Sequence, residues 1–188
     1  MEFPRINFVA LLAAALFLIS LFLYWWGLDA TGSFTSSDRW SLWSGPVNPT
    51  ITPGQSFQTL VTYSPIIGAL TLASTILALV GTIPKAHRLL SLGVVVSILT
   101  PIIYAVLVNF AVSNGCGSSS NCITGPFGTE TTNVGFFSFT RTWGFQPGFY
   151  IEIGGAILAL IAIGFHRTFL VQEIEKPIRL SAEHSSLH

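Results

Sequence analysis

Apolar residues gather into four long runs, Ile6–Trp26, Ile66–Ile83, Leu89–Val112 and Phe149–Phe165. A helix that crosses a bilayer takes roughly 20 residues at about 1.5 Å each, and every run is close to that length. Lipid offers a backbone no hydrogen bonds, so a segment placed in it closes them within itself as a helix. The pattern therefore predicts spans at 6–26, 66–83, 89–112 and 149–165. The link Thr82–Arg88 is short, so spans two and three form a hairpin. The other connections, 27–65 and 113–147, are far longer than ordinary loops and are expected to be folded.

A shorter period appears inside both long loops. Phe57, Thr59, Val61 and Tyr63 stand at even spacing, as do Phe137, Phe139, Arg141 and Trp143, and such alternation predicts strands. The stretch Ser33–Trp43 is expected to pair with the first of these across the Gly/Pro-rich segment 45–54. The fold class expected is an all-α membrane protein: one domain, 1–188, a four-transmembrane-helix bundle with a small extracellular β-sheet from the two long loops. Beyond Phe165 the pattern turns amphipathic until Pro177. Residues 181–188 read as a solvated end of a cytoplasmic tail, 166–188.

Composition sharpens this picture. Hydrophobic residues make up 51% of the 188 and charged residues 9%, against roughly 25% charged in an average soluble domain. Net charge is zero, so no overall field draws nucleic acid. The cations are unevenly placed. Arg5, Lys85, Arg88, Arg167, Lys176 and Arg179 fall on one side of a four-span chain, and only Arg39 and Arg141 fall in the long loops. Positive-inside sorting then sets both termini in the cytoplasm and both long loops outside the cell membrane. The first run exceeds a signal-peptide core and ends in Tyr24-Trp25-Trp26, which suits the interfacial belt of a retained helix.

Small residues mark helix faces where close packing is expected: Gly68, Thr71, Thr75, Ala78 and Gly81 in span two, and Gly154, Gly155 and Ala159 in span four. Pro101 is expected to kink span three. The cysteines, Cys116 and Cys122, lie in a Gly/Ser loop on the oxidising side, where a disulfide is expected and a metal pair is the alternative.

Candidate chemistry is sparse. Glu152 is the one acidic residue within an apolar run, and an intramembrane carboxylate suggests pairing or ion handling. Arg141, Arg39 and Asn109 are its possible partners, and Thr100 and Tyr104 the polar groups a transport path would use. His87 and His166 are expected at the cytoplasmic surface, either as a metal pair or as solvated side chains. No histidine falls inside a span, which argues against intrinsic haem. The sequence has no phosphate-cradling Gly-Lys-Ser/Thr motif and no His-Glu-x-x-His pair. No cofactor and no enzymatic activity are expected. The loop aromatics Trp40, Trp43, Phe127, Phe136, Phe137, Phe139, Trp143 and Phe145 are expected to divide between a small core, an interface belt and a contact surface.

Trp26 is followed by Leu42-Trp43, with sixteen residues between the two tryptophans. With four spans and a long, strand-bearing first loop, this resembles the claudin-type tetraspan group, which includes the claudins and the peripheral-myelin-protein relatives. The chain departs from that group where Ser44-Gly45-Pro46 replaces the expected cysteine, and where its cysteines lie in the second loop. The resemblance implies a left-handed bundle topped by an extracellular sheet, with Trp26, Leu42 and Trp43 holding sheet to bundle. It also implies work through lateral and face-to-face contacts with membrane lipid, other membrane subunits or further copies. The first functional expectation is accordingly a non-enzymatic membrane protein acting through protein contacts of its loops and helix faces. The alternatives are an accessory subunit of a larger respiratory or oxidase complex and a small channel or transporter.

Overall fold

The computed structural model describes residues 6–33, 35–46, 55–83, 85–115, 123 and 125–166. Cys116 and Cys122, the expected disulfide pair, lie outside them, as does the tail beyond His166.

Among the described residues, four helices and four strands follow in the order α1 (Phe8–Ser20), β1 (Tyr24–Gly32), β2 (Ser36–Ser41), α2 (Gln55–Val80), α3 (His87–Gly115), β3 (Gly128–Val134), β4 (Phe137–Phe145) and α4 (Pro147–Phe165). The helices pack as a ring, α1 on α2, α2 on α3, α3 on α4 and α4 on α1. Three of them, over Gln58–Val80, His87–Ser113 and Pro147–Phe165, are long and apolar enough to cross a membrane. The apolar side chains that face outward from the ring include Leu72, Ile76, Val95, Leu99, Ile102, Ile157 and Ile161.

The first apolar run departs from expectation. Its helix has 13 residues, about 20 Å at the α-helical rise, short of the roughly 30 Å hydrocarbon thickness. Leu21–Leu23 form a turn, and Tyr24-Trp25-Trp26 already belong to β1. The predicted span Ile6–Trp26 is thus a short helix joined to a strand. Aromatic residues favour strands, and here the Trp25 indole turns back to bond the helix end at the Ser20 carbonyl.

The second departure is the segment predicted as a strand over 56–63, which is helical. α2 starts at Gln55 rather than Ile66 and carries Pro65 inside it. Leu60 and Ser64, one turn apart, are buried while Val61, Thr62 and Tyr63 are exposed. The 3.6-residue period of that face outweighs the two-residue alternation. Ser64 donates its hydroxyl to the Leu60 carbonyl at 2.6 Å, just before the proline.

The sheet is antiparallel throughout, in the order β2-β1-β4-β3. Its central strands are the one that follows α1 and the one that precedes α4. Leu28 faces Trp143 across β1 and β4, and Trp26 faces Trp40 across β1 and β2. These residues face Leu60 of α2 and Val108, Ala111 and Val112 of α3 in one core. The sheet therefore stands against the ends of α2 and α3. A second core of Ala13, Ala14, Phe17, Ala78, Val94, Ala156 and Ala159 lies deeper in the ring.

Candidate functional site

The junction between α1 and the sheet is held by indoles. A helix end leaves carbonyls without intrahelical partners. Trp25 Nε1 donates to the Ser20 carbonyl at 2.9 Å and Trp43 Nε1 donates to the Leu21 carbonyl at 2.9 Å. The Trp43 ring also covers Gly68 of α2, where an added Cβ would come within 2.8 Å of it. Trp25 closes over Gly148 in the same way, at 2.6 Å, and stacks edge-on against Tyr104 at 5.0 Å between ring centres. Two further indoles pin the approach to β3: Trp26 donates to the Pro126 carbonyl and Trp143 to the Gly125 carbonyl. Trp26 and Trp40 meet edge to face at 4.9 Å, and Leu42 is fully buried in the same core.

At its other end α1 is capped by Asn7, whose side chain accepts from the Ala10 amide at 3.1 Å. The same side chain donates to the Ala162 carbonyl of α4 at 2.8 Å, and the Asn7 amide donates to the Thr82 carbonyl after α2. One residue thus ties three helices together. An asparagine just before an apolar run is the sequence signal for a cap; its cross-helix bonds have no sequence signal.

Glu152 lies fully buried on the α4 face toward α1. Its Oε2 accepts from Ser20 Oγ at 2.7 Å, while Oε1 has no hydrogen-bond partner among the described residues. The partners expected for it lie elsewhere. Arg141 pairs with Glu130 at 2.7 Å, Arg39 pairs with Asp29 at 2.8 Å, and Asn109 is exposed on α3. Those cations are held by carboxylates of their own sheet, whose register sets Glu130 directly opposite Arg141. One turn beyond Ser97, Thr100 is buried and donates to the Val96 carbonyl at 2.8 Å. Tyr104 is buried between Trp25 and Phe149, and its hydroxyl has no hydrogen-bond partner among the described residues.

The glycines divide in role. Gly155 packs on Phe17, with 2.6 Å from an added Cβ to the ring. Gly81 meets Leu90, Gly68 meets Trp43, and an added Cβ at Gly154 would touch Leu16 at 3.9 Å without crowding. His87 and His166 come to 6.4 Å between ring centres. Among the described residues no three His, Cys, Asp or Glu side chains gather as a metal site.

Two outward surfaces remain. Between α3 and α4 runs an apolar groove of about 320 Å³ lined by Ile98, Pro101, Ile102, Ala105, Phe149, Ile153, Ala156, Ile157 and Leu160. On the sheet, the outer face carries the threonine pairs Thr131–Thr140 and Thr129–Thr142, and the β3–β4 turn carries exposed Phe136 and Phe137. The chain matches no protein-family model and no curated protein.

Proposed function

We propose that this chain is a multi-pass cell-membrane protein of claudin-like architecture, with four crossings, cytoplasmic termini and the sheet outside the cell, and that it works through protein contacts rather than catalysis. In this reading α1 and the turn after it make the fourth crossing. The Trp43 indole satisfies the Leu21 carbonyl past the helix end, and the Trp25 indole adds a second donor to the Ser20 carbonyl, which also accepts from the Leu23 amide. The placement of Arg5, Lys85, Arg88, Arg167, Lys176 and Arg179 supports the orientation.

The observation that carries the contact function is the sheet's order. Among the described residues β1 and β4 are central and β2 and β3 are edges. Edge strands present unpaired backbone groups to a partner chain. The threonine-rich outer face beside them adds uncharged hydrogen-bonding groups, because the ion pairs of the sheet are satisfied internally. Impermeant labelling of intact cells tests the orientation, which is abandoned if cysteines introduced at Thr129 or Ser37 react only after permeabilisation. Cross-linking in native membranes tests the function, with adducts expected through β2 or β3.

A second reading, as an accessory subunit of a larger membrane enzyme, is favoured by the α3–α4 groove. Its wholly apolar lining at mid-helix suits a neighbouring span. Extraction in mild detergent separates the readings: a stoichiometric redox subunit supports the second, and its absence leaves the first.

A further inference from the structure

The β3–β4 hairpin turns in two residues, Gly135 and Phe136, between the paired Val134 and Phe137. Gly135 takes φ +63°, a left-handed conformation that such a turn requires of one or both central residues. Turn geometry asks for a small polar residue next to that glycine, such as asparagine, serine or aspartate. Phenylalanine stands there instead, wholly exposed at 105% of its reference area, and Phe137 beside it is 64% exposed. Phe137 shares the sheet face of Trp143 and Arg141, but it lies past the point where α2 and α3 cover that face.

Position and charge narrow what these rings meet. β4 has nine residues and spans about 27 Å at the antiparallel rise. Its far end, Phe145, adjoins α4, so the turn lies at the strand end remote from the helices. From Thr132 to Thr140 there is no charged residue, and the nearest pair, Glu130–Arg141, is closed on itself at 2.7 Å. The neighbouring β1–β2 turn lies alongside, with the Ser33 amide bonded to the Ser138 carbonyl. Two phenylalanines offer at most about 500 Å², short of the roughly 800 Å² per partner of a stable protein interface. A lipid headgroup layer needs no such area, because each ring inserts on its own.

We propose that Phe136 and Phe137 form a wedge that enters the outer leaflet of a facing bilayer, tethering it to the membrane that holds the helices. This rests on the outward orientation proposed above. It adds a lipid partner to the protein contacts of the strand edges. The uncharged tip requires neither anionic lipid nor low salt.

The full chain in lipid nanodiscs, mixed with protein-free phosphatidylcholine vesicles and floated on a density gradient, tests it. Loaded discs are expected to float with the vesicles at low and high salt, and empty discs are not. Phe136→Ser and Phe137→Ser are each expected to weaken this about tenfold, and Phe136→Trp to preserve it. Neither phenylalanine is needed for packing, so unchanged thermal unfolding of the serine variants is the control on folding. Equal flotation of wild type and the double serine variant overturns the proposal. So does flotation that needs the protein in both membranes, which identifies a second copy as the partner. The indole added by Phe136→Trp supplies a further readout, as the quenching the variant gains over wild type. Gain from spin-labelled lipid in the vesicles is expected; gain only from spin-labelled lipid in its own disc also overturns the proposal. Discs have no inside or outside, so a wrong orientation appears in the cell-labelling experiment and not in this one.

Discussion

Ser20→Ala isolates the contact between α1 and the buried carboxylate. Ser20 and Glu152 are both fully buried, joined at 2.7 Å, and the second carboxylate oxygen has no partner among the described residues. The serine hydroxyl is the one hydrogen-bond partner that Glu152 has among them, and its single proton is shared with the Phe17 carbonyl at 2.8 Å. Removing it leaves both oxygens without a partner among the described residues, at a cost of about 2 kcal/mol, or roughly thirtyfold in the folded-to-unfolded ratio. The surroundings give little relief, because Gly155 lies against Phe17 one turn along the same interface. Adding Glu152→Met to Ser20→Ala removes the unpaired group and is expected to return stability to within about 1 kcal/mol of wild type. Equilibrium unfolding in mixed detergent micelles, followed by tryptophan fluorescence, measures both, since Trp25 bonds the Ser20 carbonyl. A loss below about 0.5 kcal/mol for Ser20→Ala, or strict additivity in the double variant, refutes the reasoning.

Trp43→Phe deletes both the donor to Leu21 and the far edge of the indole that covers Gly68, so a loss of about 2 kcal/mol is expected in the same unfolding assay. Gly155→Val drives side-chain atoms into Phe17 and is expected to cost about 2 kcal/mol in a thermal scan, and together with Phe17→Ala less than the sum of the two single losses. Glu130→Gln removes the carboxylate charge from a pair that is part-exposed at Glu130; a loss of about 1 kcal/mol is expected in the same assay. Intact-mass measurement without reductant is expected to find the chain two hydrogens lighter than its reduced form, as a Cys116–Cys122 disulfide requires.

Hydrophobic run length alone located α2, α3 and α4, because a helix buried in an apolar medium needs a continuous apolar sequence whatever its neighbours are. The alternation from Phe137 to Trp143 located β4 for a similar reason: each strand of a sheet with one covered face carries its own two-residue code. The ends of elements were not legible in this way. Tyr24-Trp25-Trp26 continues an apolar run, yet it leaves the helix because β4 and β2 flank it and because the Trp25 indole closes over Gly148. Phe57–Tyr63 alternates like a strand, yet it coils because α3 and the sheet offer a core surface to Leu60, with Ser64 buried one turn on. Glu152 stood out in the sequence, but its partner, Ser20, is 132 residues away. A hydrogen bond across that separation depends on how α1 and α4 are set side by side, and no local pattern encodes it. Local sequence determined which segments coil and which extend over most of the chain; where each one stops, and which buried polar groups meet, was decided by packing between distant segments.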